Sequence, residues 1–183
     1  AHGATGVRLD VIGMDACLMA MLEGARELAP FTDFFVASQE VEPMEGWPYP
    51  GILKALNKQP GMDGGGFARM VVEEYAASYG GKTRSADETV TQSAIATART
   101  EQTEALAKAL VDALMLDPAP MLRSLAQRAA DQSLVFQDRS YRDLGSFAQQ
   151  LAAEAEWSTH RNAAAVRTAA QALAAHLLAR DDE

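Results

Sequence analysis

Val7-Arg8-Leu9-Asp10-Val11-Ile12-Gly13, then Met14-Asp15-Ala16-Cys17, then Leu18 to Leu28: this stretch decides the architecture of the 183-residue chain. Its first block is apolar and β-branched and ends at a glycine, which is the composition of a β-strand. In its last block Leu18, Met19, Met21, Leu22, Ala25 and Leu28 recur at helical spacing, with Glu23, Arg26 and Glu27 opposite, until Pro30 ends the run. A strand that runs into a helix is the repeating step of an α/β fold, and such sheets place their sites at the carboxyl ends of strands. The single cysteine of the chain stands at that joint. A thiol at a helix N-terminus has backbone N–H groups and the helix dipole to stabilise its thiolate, and the same N–H groups can take up a developing oxyanion. Against this stands the commoner role of a lone cysteine as a small buried apolar residue.

Working outward, Phe34-Phe35-Val36-Ala37-Ser38 reads as a second strand, followed by irregular sequence from Gln39 to Gly51 with Pro43, Pro48 and Pro50. A short helix is expected over Ile52 to Leu56 and a strong one over Phe67 to Tyr79. The Gly61 to Gly66 run between them lacks the Lys and Ser/Thr of a phosphate-binding loop and reads as a flexible connector. Gly80 to Ser85 reads as an exposed loop, and Thr89 to Ala98 as a third strand. Beyond residue 100, segments 101–116, 118–133, 143–156 and 162–180 are rich in Ala and Leu at helical spacing. The expected organisation is a cysteine-bearing α/β part over 1–100 and a helical portion over 101–183 packing on the same domain. Three strands are few for so many helices, so the sheet is expected to be completed by sequence outside this chain.

Composition narrows the function. The net charge of −9 argues against a nucleic-acid partner, which would call for a basic face. No apolar run approaches the roughly 20 residues that span a bilayer, so no membrane partner is expected. One cysteine excludes an internal disulfide and a multi-cysteine zinc site.

Leu9-Asp10-Val11-Ile12-Gly13-Met14-Asp15-Ala16-Cys17-Leu18-Met19 resembles the strand and nucleophile segment of clostripain-like cysteine peptidases. Val36 to Pro43 and Gly46-Trp47-Pro48-Tyr49 are similar to the segment after that family's next strand, and Tyr141 to Phe147 more weakly to the opening of a later helix. The resemblance implies a caspase-like α/β/α sandwich with additional C-terminal helices. It also implies hydrolysis of peptide bonds after Arg or Lys by a Cys–His dyad, through an acyl-enzyme. Cys17 matches the nucleophile, Asp15 the pocket aspartate, and Glu45 a second pocket acid. Glu in place of Asp makes such a pocket shallower by about one methylene. On the residues alone, the other reading of Asp15 is a helix N-cap, and that of Glu45 is a merely exposed acid. A catalytically inactive caspase-like binding module is the alternative on the same fold.

The histidine does not fit the pattern within this chain. His2 lies 15 residues before Cys17, too close for the crossover of a dozen or more residues that separates two parallel strands. His160 and His176 fall on or beside late helices and read as surface residues. The family's habit of cutting itself between its His and its Cys implies a light chain that carries the histidine and the missing strands, with Ala1 as a new N-terminus. The peptide or protein substrate would present a basic residue. No cofactor is evident. The resemblance leaves calcium open without identifying ligands, Glu40, Glu42 and Glu45 being the one cluster to consider. Ala and Arg enrichment suggests a bacterial source, and a secreted or periplasmic location is favoured over a cytoplasmic one.

Overall fold

The structure, a computed structural model, describes residues 6–80, 90–116 and 120–179. Residues Gly81 to Ser85, for which an exposed loop is expected, together with Thr89, Pro118 and His2, lie outside the described residues. The chain divides into two compact units, Ala1–Thr100 and Glu101–Glu183.

The first unit is built on strands β1 (Leu9–Met14), β2 (Thr32–Ala37) and β3 (Ser93–Ala96), in the order β1-β2-β3. β1 and β2 are parallel, with Val11 opposite Phe34 and Gly13 opposite Val36, whereas β3 runs antiparallel to β2. Helices are α1 (Leu22–Leu28), α2 (Tyr49–Lys58) and α3 (Gly64–Tyr79). The period of two along β2 sorts its residues between two layers. Val36 packs with Trp47, Ile52, Ala68, Val71 and Tyr75 on the side of α2 and α3. Phe35 and Ala37 pack with Ala20, Ala25, Ile12 and Ile95 on the side of α1. The result is an α/β/α arrangement around a three-stranded sheet that is incomplete in this chain, β1 being left as an edge.

Two expectations are corrected here. The helix after Cys17 starts at Leu22, not Leu18. Leu18 has φ 58°, in the left-handed region, and its N–H donates to the Glu40 carbonyl. Ala20 N–H likewise donates to Ser38. The chain therefore reverses at Cys17-Leu18 and runs back beside the end of β2 before any helix forms. Apolar spacing cannot separate the two conformations, because the same side chains bury their surface in either. The Gly61 to Gly66 run is also more than a connector, since Gly64 to Gly66 form the first turn of α3. Asp63 caps that turn by accepting from Gly66 N–H at 2.7 Å. A Cβ on Gly64 would stand 2.8 Å from Asp10 Cβ, so the missing side chain lets the helix start close against β1.

The second unit holds α4 (Thr100–Met115, its first residue at the boundary), α5 (Pro120–Gln132), α6 (Leu144–Glu156) and α7 (Ala163–Leu178). Leu110, Leu122, Leu125, Leu151, Val166 and Leu173 form its core, with alanines letting the helices approach. Asp143, within the Tyr141 to Phe147 motif, is the N-cap of α6 and accepts from Ser146 N–H at 2.6 Å. Among the described residues no helix is long and apolar enough to cross a membrane.

Candidate active site

Cys17 lies three residues past the last residue of β1, at the tip of the reversal, and its side chain is exposed. That removes the reading of a buried apolar cysteine. The support for its sulfur differs from the one expected. α1 begins five residues later, and the amides that a helix start would have left available are engaged: Leu18 with Glu40, Ala20 with Ser38, Met21 with Met19. What reaches the sulfur is the backbone N–H of Glu42, 3.3 Å from Cys17 Sγ. This donor holds the sulfur at the tip of the reversal.

Asp15 points into the same corner. Its Oδ2 accepts from the Trp47 backbone N–H and from the Tyr49 hydroxyl, each at 3.0 Å. It caps no helix: α1 has Met21 at its N-cap position, without a side-chain bond. Gly46, with φ 64°, makes the approach possible, since a Cβ there would stand 2.7 Å from Asp15 Oδ2. Among the described residues both bonds to Asp15 fall on Oδ2, so Oδ1 has none. Tyr49 is held protonated as a donor, its ionisation pushed up by partial desolvation, then by the bond to Asp15 and the charges of Asp15 and Glu42. Glu45 adjoins Gly46 on this loop, and its side chain is exposed. The structure brings Cys17 and Asp15 to one corner and leaves the Glu45 carboxylate in solvent.

Glu42, which the sequence offers only as part of a cluster to consider for calcium, has its carboxylate buried beside them. Oε2 accepts from the Tyr75 hydroxyl at 2.7 Å, and Oε1 from Trp47 Nε1 at 3.2 Å. Gln92, with its amide oriented to suit its neighbours, donates to Oε1 at 3.3 Å. Burial pushes the Glu42 carboxyl above its ordinary value; the Tyr75 and Trp47 bonds oppose this, and the Asp15 charge adds to the rise. Tyr79, one turn after Tyr75 on α3, donates to the Gly46 carbonyl. The spacing of these two tyrosines and the indole of Trp47 were the clues in sequence to an acceptor buried among them. Thr91 completes the support by accepting from Gln39 and Glu40 N–H, both at 3.0 Å.

The described part of the first unit contains no histidine. In the second unit His176 Nε2 is 2.9 Å from Thr103 Oγ1, and His160 Nδ1 accepts from Asn162 N–H at 3.2 Å. His2 lies outside the described residues. Glu40, Glu42 and Glu45 do not form a metal site, and among the described residues no group of three His, Cys, Asp or Glu could hold a metal ion. Glu42 is committed to Tyr75 and Trp47, and Glu45 points to solvent.

An exposed thiol after a parallel strand, beside a fixed carboxylate on an α/β/α layer structure, defines the class of caspase-like folds carrying a cysteine. Within that class the chain belongs to the clostripain family, whose model matches residues 4–177. Solved structures agree on the fold. A secreted C11 cysteine protease from Bacteroides thetaiotaomicron, in complex with an irreversible peptide inhibitor, is 23% identical with TM-score 0.58, over 90% of this chain and 42% of that one. A clostripain from the same species, in complex with peptide inhibitor BTN-VLTK-AOMK, is 16% identical with TM-score 0.59, over 92% of this chain and 66% of that one. An inactive zymogen C11 protease from Parabacteroides distasonis is 16% identical with TM-score 0.55, over 88% of this chain and 42% of that one. This chain thus spans less than two thirds of the length of each. Among curated proteins none matches at a significant level.

Proposed function

We propose that this chain carries the nucleophile and the basic-residue pocket of a secreted cysteine endopeptidase that cleaves after Arg or Lys. The observation that supports it most is the pairing of an exposed Cys17 sulfur, contacted by Glu42 N–H, with an Asp15 carboxylate fixed two residues away. Asp15 Oδ1 is the atom that would meet the substrate's cation, since a buried cation without an anionic partner is costly. Glu45, at the exposed rim, would add field more than contact.

In the proposed reaction a histidine on an upstream light chain takes the proton from Cys17 Sγ. The thiolate bonds to the scissile carbonyl carbon, the C–N bond breaks, and the amine leaves with the histidine's proton. Water, deprotonated by the same imidazole, then cleaves the thioester and restores the thiol. The peptide portion of the inhibitor on the Bacteroides clostripain, Val-Leu-Thr-Lys, ends in a basic residue and is consistent with this preference.

Labelling tests the proposal directly, because the chain has one cysteine. A lysyl or arginyl chloromethyl ketone should label Cys17 stoichiometrically, far faster than a norleucyl analogue, and Cys17→Ala should abolish both labelling and hydrolysis. Equal rates for charged and uncharged reagents would remove the basic pocket. No labelling at all in the assembled protein would favour the inactive binding module.

A further inference from the structure

Glu42 is a buried acid for which the proposed chemistry has no task, and its surroundings show what it holds. The loop from Glu42 to Trp47 presents two backbone donors. One is Glu42 N–H on the Cys17 sulfur, and the other is Trp47 N–H on the Asp15 carboxylate. The Glu42 side chain closes this loop on itself through Trp47 Nε1 and anchors it to α3 through Tyr75. Tyr79, its ring tilted against that of Tyr75 with centroids 4.8 Å apart, holds the far end through Gly46. One carboxylate therefore sits between the donor for the nucleophile and the donor for the pocket acid.

We propose that Glu42 is a positioning residue, a clamp that fixes the Cys17 sulfur and the Asp15 carboxylate in register with each other. It acts through the two backbone N–H groups and exchanges no proton with substrate. This deepens the proposed function and rests on it for the meaning of the pocket, but the clamp itself can be tested without any turnover. Among the described residues, the titratable groups bonded within this corner are Asp15, Tyr49, Tyr75 and Tyr79.

The probe is iodoacetamide, whose rate against pH reports the Cys17 thiolate with no recognition of substrate. E42Q removes the charge and keeps the shape, its amide oxygen placed to accept from Trp47 Nε1 and its NH2 to donate to the Tyr75 hydroxyl oxygen, whereas E42A removes the clamp as well. Comparison of the two isolates the clamp. The midpoint of the alkylation profile for E42A should lie above that for E42Q by on the order of half a pH unit or more, because the loosened Glu42 N–H no longer supports the thiolate. Y75F, which removes one anchor and leaves the rest of the loop intact, should move the midpoint the same way. It serves if E42A fails to fold. Profiles for E42A and Y75F that both superimpose on E42Q overturn the clamp. An E42Q midpoint as high as that of E42A also overturns it, since charge and not geometry would then be at work. In parallel, the rate ratio of lysyl chloromethyl ketone to iodoacetamide should fall at least about fivefold in E42A, as Asp15 loses its Trp47 donor. If wild type shows no preference for the lysyl reagent, the basic pocket fails while the iodoacetamide profiles still decide the clamp.

Discussion

Asp15 and Glu42 are two carboxylates close enough to feel each other's charge, and their surroundings give them opposite tasks. Asp15 has one bonded oxygen and one without a bond among the described residues, which suits a group that waits for a cation. Asp15→Asn keeps the Trp47 and Tyr49 contacts in shape but removes the charge. Its kcat/KM on a lysyl substrate should fall about 100-fold, roughly 2–3 kcal/mol, with little change on an uncharged analogue. Glu45→Gln, at an exposed site, should cost less than about threefold in the same assay. Glu42 leaves its trace in stability. Its carboxyl is pushed up by burial, so between its ordinary value and its folded one the native chain keeps a proton that the unfolded chain has released. Stability from this group is therefore present below the ordinary glutamate range and is lost as pH rises through the raised folded value. Urea midpoints measured from about pH 4 to 8 should show wild type losing ground to E42Q across that window and running parallel above it. Glu154 in the second unit works the other way. Its bond to Arg128 holds it low, and that contribution disappears on acidification.

At the scale of elements, the sequence was most legible where a period had only one structural meaning. β1 at Leu9–Met14 and α5, α6 and α7 fall close to the positions read from alternation and helical spacing. It was least legible at Leu18 to Met21. There a left-handed Leu18 and bonds to Ser38 and Glu40, some twenty residues away, overrule the local apolar pattern. Cys17 and Asp15 could be picked out because residue type and nearness in the chain carried the information. Glu42 was harder to read, because the tyrosine spacing and the indole hint at a buried acceptor without saying which acid meets Tyr75 and Gln92 in space. Trp47 joins these levels. Its ring covers Gly13, where a Cβ would stand 2.8 Å from Cη2, while its indole N–H and backbone N–H serve Glu42 and Asp15. Gly13→Ala should push the ring off β1, destabilise the fold by about 1–3 kcal/mol in urea titration, and lower labelling by a lysyl chloromethyl ketone more than labelling by iodoacetamide.

At the scale of the whole molecule, β1 is a strand without its full surroundings. Parallel strands of α/β sheets are covered on both faces, yet every residue of Leu9–Met14 is at least partly exposed, while β2 beside it is largely buried. Its edge carries little of the usual protection: Leu9 to Met14 contains no lysine and no proline, and Asp10 is its one charge. Such an edge fits a strand that is interior in the assembled protein, and relatives of greater length leave room for the missing piece. We propose that the upstream light chain supplies it together with the histidine. Intact mass of every chain in the purified protein should then show a second, histidine-bearing species held with this one. In the assembled protein the β1 amides should exchange with deuterium at least about tenfold more slowly than in the 183-residue chain alone, while those of α6 and α7 stay the same. If β1 exchanges equally in both, its edge is not where the partner adds.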